Sequence, residues 1–359
     1  FADGLGAGMS VLPAKLGVQV INNSWVGNMA SSAANTEVLR RLDYMIVRDN
    51  VFVANALDNT NATPVKVLLA AAYNGLNVGI TPGLGNTFTA QAASSFRLMP
   101  DLIVPVSTTS QATAYVAGSA ALLISEAKAH KKPVSELGVR ASLMAGAQRL
   151  AGWKSSAGSP LDPVQGAGQL RVDHSFDILM GGELAPGNKA RTIGWDSAVA
   201  QPANKLYYNI TLSHPAAHFS AALVWNREIS GANVPFVDRA VTLANLDLQL
   251  QRKKGNIWVD AGHSYYTGDN VEFIAREALI AGTYRLAVMG DRQEPFAIAW
   301  YTDFTAPSMT QSVASAALPA AAVQTSAESS VVVPEPAVRL WSLGLGLLCC
   351  RRRKRQPVA

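Results

Sequence analysis

The sequence predicts an α/β domain built on a parallel sheet, followed by an all-β sandwich or jelly roll. Three observations predict it. Over about the first 180 residues, β-branched runs alternate with helical stretches. Between 191 and 303 the strong segments alternate apolar and polar with period two. The change of texture falls near residue 187, and with 49% hydrophobic and only 15% charged residues the chain can bury a large core.

VQVINNSW (18–25) is a β-branched run ending in a polar turn, and a second such run falls at Val51–Ala54. Between them TEVLRRLDYMIV sets Val38, Leu42 and Ile46 four apart, one face of an amphipathic helix. Strand, helix, strand is the unit of a parallel sheet, because parallel neighbours need a crossover. VKVLLAAAYNGLNVG (65–79) reads as a short helix or extended approach, then a strand at Leu76–Gly79, and DLIVPV (101–106) as another buried strand. The segment 110–129 is rich in Ala and Gly and has no acid or base before Glu126. A helix apolar all round is expected to be buried on every side. ELGVRASLMAGAQRLAG (136–152) adds a helix stopped by Gly152, and DPVQGAGQL (162–170) a Gly-rich turn into a new segment.

KLYYNITL, FSAALVW, NLDLQLQ, TYRLAVMG and FAIAWYT then alternate with period two between polar turns, the pattern of a sandwich. After them comes a small-residue linker without periodicity. The expected organisation is 1–186, 187–303, a linker over 304–332 and a terminal segment over 333–359.

The formal net charge is +5, but Arg351, Arg352, Arg353, Lys354 and Arg355 supply five positive charges in one run and leave the rest balanced. No basic footprint is spread over the fold, so nucleic acid is not the expected partner. Cys349 and Cys350 are adjacent in the tail, which removes thiol catalysis and cysteine metal sites from the folded body. Trp341–Cys350 gives ten apolar or small residues, short of the roughly 20 that cross a bilayer. A basic cluster directly after such a run nevertheless has the character of a stop-transfer flank.

A buried helix over 110–129 would put Ser110 in its first turn, where unpaired N–H groups and the positive end of the dipole point outward. An oxygen nucleophile there attacks a carbonyl whose developing oxyanion the same N–H groups can meet. The alternative is that Ser110 is the helix N-cap, a common role for serine.

TTSQATAYVAG (108–118) resembles the nucleophile motif of the subtilisin-like serine peptidases at Thr109, Ser110, Ala112, Val116, Ala117 and Gly118. PDLIVP (100–105), VINNSWVG (20–27), VFVANALDN (51–59) and LDPVQGAGQLRVDHSFDIL (161–179) resemble four further segments of that family, in its order. The resemblance implies a serine endopeptidase with Ser110 as nucleophile. It implies an oxyanion donor at the end of the 51–59 strand, Asp58 in an ungapped match or Asn59 with one inserted residue. It also implies an extended peptide substrate held along Ser24, Trp25 and Gly27 on one side and Ala54, Asn55 and Ala56 on the other. Thr108, Ala114 and Tyr115 depart from the family motif.

A serine hydroxyl also needs a base and an orienting carboxylate. The family carries these before the VINNSW strand in Asp-x-Gly and His-Gly-Thr contexts, which this sequence lacks. His130, His174, His214, His218 and His263 all follow Ser110, and none precedes Gly-Thr. FADGLGAGM resembles the stretch after the family's histidine, so the chain is expected to be part of a longer protein and inert alone.

ALVWNR (222–227), NLDLQL (245–250), DNVEFI (269–274) and AGTYRLAV (281–288) resemble the β-sandwich modules that follow the catalytic domain in many bacterial subtilases. No cofactor is expected: Asp247, Asp269 and Glu272 read as solvated acids at turns, with a calcium site on them as the alternative, since hard cations take oxygen ligands. Val333–Arg355, with Pro-Glu-Pro, an apolar run and five bases in order, resembles the PEP-CTERM sorting signal. That implies an exported protein of the bacterial envelope, transiently held at the membrane by sorting machinery; a monomer is expected.

Overall fold

The computed structural model describes residues 5–6, 11–60, 66–85, 97–132, 134–155, 159–187, 190–231 and 235–304. The expected linker from 305 onward, the sorting segment and most of FADGLGAGM lie outside the described residues.

Strands β1 (Val20–Asn23), β2 (Phe52–Ala56), β3 (Leu76–Ile80) and β4 (Leu102–Val104) form a parallel sheet in the order β1-β2-β3-β4. Helix α1 (Ser32–Asp49) makes the first crossover. The Ser31 hydroxyl caps it by accepting the Ala34 N–H at 3.2 Å, and Asn50 ends it in the left-handed region at φ 49°. Val38, Leu42 and Ile46 are buried against Val51, Val53, Leu68 and Leu69, as their spacing predicts. All five residues of β2 are buried because both faces of the sheet are covered.

Helix α2 (Thr109–Ala129) covers the other face, packing Ala112, Val116, Ala120, Leu123 and Ile124 on Phe52, Ala54, Leu76, Val78, Leu102 and Val104. Its burial is one-sided. Tyr115 is 61% and Leu122 69% exposed, which corrects the expectation of a helix enclosed on every side. Small residues (Ala114, Gly118 and Ala121) line that open side, so composition overstated how much of the helix is covered.

Helix α3 (Glu136–Ala145) ends seven residues earlier than the Gly152 stop predicts, a difference read from 145 and 152. The cause is close approach: a Cβ on Gly146 would lie 2.9 Å from the backbone N of Ser175, in helix α4 (Val172–Met180). Between α3 and α4 the Gly-rich turn runs against β4. Ala167 N–H donates to Asp101 O at 2.8 Å and Ile103 N–H to Gly168 O at 3.0 Å.

Among the described residues ten antiparallel strands follow: β5 (Gly194–Ala200), β6 (Leu206–Leu212), β7 (Ala216–Trp225), β8 (Glu228–Ser230), β9 (Ala240–Thr242), β10 (Leu246–Lys254), β11 (Ile257–Ser264), β12 (Val271–Leu279), β13 (Gly282–Gly290) and β14 (Glu294–Asp303). They make two four-stranded sheets, β11-β10-β13-β6 and β12-β7-β14-β5, and the small pair β8-β9. Leu246, Leu248, Leu250, Leu286 and Val288 of the first sheet share a core with Phe219, Leu223, Trp225, Phe296, Ile298 and Trp300 of the second. The opposite face of the second sheet is also buried. Ala222, Val224, Phe273, Ala297 and Ala299 join the core of α2 and α3, so the α/β layer and the sandwich form one compact unit through Pro307.

Candidate active site

Ser110 is the second residue of α2, and it is not the cap. Thr108 holds that place with extended backbone (φ −137°, ψ 149°), and its Oγ1 accepts the Gln111 N–H at 3.3 Å. The Ser110 hydroxyl is thereby left for other work. It is half-buried and donates to the Ser24 carbonyl at 3.0 Å. The single proton of the Ser24 hydroxyl is shared between Ser110 O and Asn22 Oδ1, each 3.0 Å away. These bonds fasten the carboxyl end of β1 to the first turn of α2.

Asn59 lies three residues beyond β2. Its Oδ1 accepts the Thr109 N–H at 2.8 Å, and Thr109 Oγ1 donates to Leu57 O at 2.6 Å. A carboxamide whose oxygen is fixed in this way presents its NH2 on the opposite side, as a donor. Asp58 turns elsewhere. Its Oδ1 accepts the N–H and hydroxyl of Thr60 at 3.0 and 2.9 Å, and its Oδ2 lies 3.3 Å from Lys66 Nζ. Of the two residues left open by the sequence, the structure brings Asn59 to the start of α2.

The first-turn N–H groups can be accounted for one by one. Those of Thr109, Gln111 and Ala112 go to Asn59 Oδ1, Thr108 Oγ1 and Thr108 O, which leaves the Ser110 N–H without an acceptor among the described residues. A hydroxyl, a backbone N–H and a side-chain amide thus gather at one helix N-terminus, where the macrodipole favours negative charge.

The expected peptide walls need correction. Ala54 and Asn55 sit inside β2, paired to β1 on one side and β3 on the other, whereas Ala56, the last residue of β2, pairs with Val78 of β3 alone. A strand with two neighbours has no free edge for an added strand. Gly27 is also committed: its N–H donates to Leu68 O at 3.1 Å and its carbonyl accepts the Leu68 N–H at 3.0 Å. Ser24 and Trp25 remain at the open side, beyond β1, which has one neighbour among the described residues; Trp25 is 41% exposed.

Each histidine is engaged away from Ser110. His130 meets Glu126 at 2.9 Å, His174 the Gly146 carbonyl at 2.9 Å, His214 the Ser213 hydroxyl at 2.9 Å and His263 Asp260 at 3.1 Å, while His218 pairs with Glu277. The three acids weighed for calcium also go to separate work. Asp269 accepts the Leu98 and Asn270 N–H groups at 2.7 and 2.8 Å, and Glu272 accepts the Tyr266 N–H at 2.5 Å and the Ser264 hydroxyl. Asp247 meets Asn245 at 3.5 Å among the described residues. No group of three or more His, Cys, Asp or Glu side chains able to hold a metal occurs among the described residues. Burial raises Asp269 to about 6 and Glu272 to about 8.

Residues 332–355 match the family described as the PEP-CTERM protein-sorting motif, which implies export to the cell envelope. No curated protein sequence matches the chain. In fold the chain is similar to the patellamide maturation protease PatA, at 23% identity over 46% of this chain and 65% of that one, with a TM-score of 0.36. It is similar to the prenylagaramide maturation protease PagA at 20% identity, over 45% and 61% of the two chains, TM-score 0.35. Tripeptidyl peptidase 2 aligns at 11% identity over 79% of this chain and 35% of its own, TM-score 0.33. The chain spans less than two thirds of the maturation proteases it matches. No helix among the described residues is long and apolar enough to cross a membrane.

Proposed function

We propose that the chain is the serine-bearing part of an exported, envelope-associated endopeptidase of subtilisin type. Ser110 attacks the peptide carbonyl, and the Asn59 amide and the Ser110 N–H meet the oxyanion. The single observation that supports this best is the convergence at α2: a serine hydroxyl released from capping, an uncommitted N–H on the same residue, and an asparagine held by its oxygen so that its NH2 is available. Donors fixed before the charge develops need no reorganisation, and losing one such donor costs about 2.7–4 kcal/mol of barrier in an enzyme that uses it. The base that takes the Ser110 proton and the carboxylate that orients it come from outside the described residues. Ser24 and Trp25 flank the acyl position as the part of the peptide wall that keeps an open side.

A second reading is a non-catalytic surface protein that uses the same scaffold to bind. The resting bond from Ser110 Oγ to the Ser24 carbonyl favours it, since no described imidazole bonds to that hydroxyl. Labelling of the full-length protein with a fluorophosphonate separates the two. The endopeptidase reading expects labelling that is lost in Ser110→Ala, whereas a full-length protein that never labels is the binder.

A further inference from the structure

The α/β layer and the sandwich also meet through a buried polar seam. Asn23, Asn55 and Asn77 occupy matched register positions on β1, β2 and β3. Asn23 Nδ2 donates to Asn55 Oδ1 at 3.0 Å, and Asn55 Nδ2 to Asn77 Oδ1 at 3.5 Å. The row ends at Asp101, whose Oδ2 accepts the Asn77 N–H at 2.6 Å and Arg97 Nη2 at 2.8 Å. Arg97 carries the row into the sandwich, with Nη1 donating to Asn270 Oδ1 at 3.0 Å and to Asp269 Oδ1 at 3.4 Å.

A second branch starts on α3. Arg140 Nη1 donates to Asn74 O at 3.1 Å and Asn226 Oδ1 at 3.4 Å, and Asn226 Nδ2 donates to Glu136 Oε1 at 2.6 Å. Asn74 N–H donates to Asp43 Oδ1 of α1 at 2.9 Å, and Asp43 pairs with Arg227.

Six atoms of this seam make no hydrogen bond to any described group: Asn77 Nδ2, Arg97 Nε, Asp101 Oδ1, Glu136 Oε2, and Arg140 Nε and Nη2. Their five residues are at most 4% exposed. Buried polar atoms almost always have a partner, and six without one would cost a large part of a domain's stability margin. Four of the six are donors and two are carboxylate oxygens. An anion would suit the donors but face the carboxylates, and a cation would meet the reverse problem. Water accepts from one set and donates to the other.

We propose that the seam holds internal water, bridging Arg97 Nε, Asn77 Nδ2 and the Nε/Nη2 edge of Arg140 to Asp101 Oδ1 and Glu136 Oε2, as a hydrated clasp between sheet and sandwich. The clasp is proton-dependent. Facing Glu136 are Arg140 from its own helix and Asn226 at the end of β7; Arg97, Asp101, Asp269 and the Asp43–Arg227 pair make up the rest of the charged seam. Burial outweighs Arg140 and Asn226 and raises the Glu136 carboxyl to about 7. Its folded pKa exceeds the model-compound value of 4.5. Its contribution to the hold is therefore full below about pH 4.5 and is lost as pH rises through about 7.

A high-resolution crystal structure of the full chain in weak acid tests the site directly. Expected is water density bonded to Arg140 and Glu136 and to Asp101 and Asn77. Direct re-pairing of these side chains with nothing between them, or a bound ion in that place, overturns the proposal. Amide exchange in solution tests the proton dependence at two seam amides, those of Arg227 and Leu98, bonded to Asn74 Oδ1 at 2.7 Å and Asp269 Oδ2 at 2.7 Å. Corrected for intrinsic rates, protection should fall about tenfold or more between roughly pH 5 and 8, and Glu136→Gln should show a shallower fall than the parent, the remainder belonging to Asp269 and Glu272, whose carboxyls burial also raises. Equal pH dependence in the two proteins overturns the clasp's proton link.

Discussion

At the carboxyl ends of β1 and β2 the polar groups around Ser110 are neutral, partly open to solvent, and tied to one another through backbone carbonyls and a carboxamide. Near the amino ends of β3 and β4 the polar groups are charged, and Arg97, Asp101 and Asp269 are at most 1% exposed. Both regions are rich in hydrogen bonds, yet they differ in what removing one group would leave behind. Around Ser110 water can replace a lost partner, so the cost is small and the groups can be lent to a ligand. In the seam a lost arginine strands two buried carboxylates. Position on a parallel sheet agrees with this division, because ligands of open α/β sheets bind beyond the carboxyl ends of the strands.

The largest expected effect breaks the seam. Arg97→Met keeps much of the side-chain volume but leaves Asp101 and Asp269 unpaired, and breaking a buried ion pair costs about 3–5 kcal/mol. Chemical denaturation at neutral pH should show that loss. A loss under about 1 kcal/mol would mean that the seam is as replaceable as the serine end, and the contrast would fail.

The next effect has the opposite sign. Burial raises Glu272 from 4.5 to about 8, against the opposing bonds from the Ser264 hydroxyl and the Tyr266 N–H. A raised carboxyl contributes its stability fully below about pH 4.5 and loses it as pH climbs through about 8. In Glu272→Gln the amide can accept from Tyr266 and donate to the Ser264 oxygen without ever ionising. The variant should match the parent near pH 5 and exceed it near pH 8 by on the order of a few kcal/mol. Thermal or denaturant midpoints at the two pH values give the comparison, and equal gains at both would show that ionisation is not the cause.

The α/β half was legible because its signals are local. Val38, Leu42 and Ile46 declare a helix face, and the β-branched runs at 18–25, 51–54 and 101–106 declare buried strands. A capping signal was also there to be read: Thr108 followed by Gln111 is the Thr-x-x-Gln pattern of a helix N-terminus, which moves the cap off Ser110. The end of α3 at Gly146 was hidden, since it is set by Ser175 crossing close to the chain, a tertiary event. The seam was hidden for the same reason. Asp43, Arg97, Arg140, Asn226 and Asp269 lie far apart in sequence and follow no period, and Asp269 read instead as a solvated acid or calcium ligand. Ala54, Asn55 and Gly27 were misplaced as peptide wall because a motif gives the order of residues along a strand and does not say which segments flank it.

The smallest expected effect sharpens the contrast from the other side. Ser110→Ala removes one bond, to the Ser24 carbonyl at 3.0 Å, in a region where water can take the donor's place. Alanine suits a helix better than serine, and Thr108 continues to cap α2. The two changes nearly cancel, so stability should move by no more than about 0.5 kcal/mol. Denaturation of parent and variant side by side measures it. A loss above about 2 kcal/mol would make Ser110 a structural fastener between β1 and α2, and loss of labelling in that variant would then report misfolding instead of a missing nucleophile. Near-neutral stability with lost labelling is the pair of results that assigns the hydroxyl to chemistry.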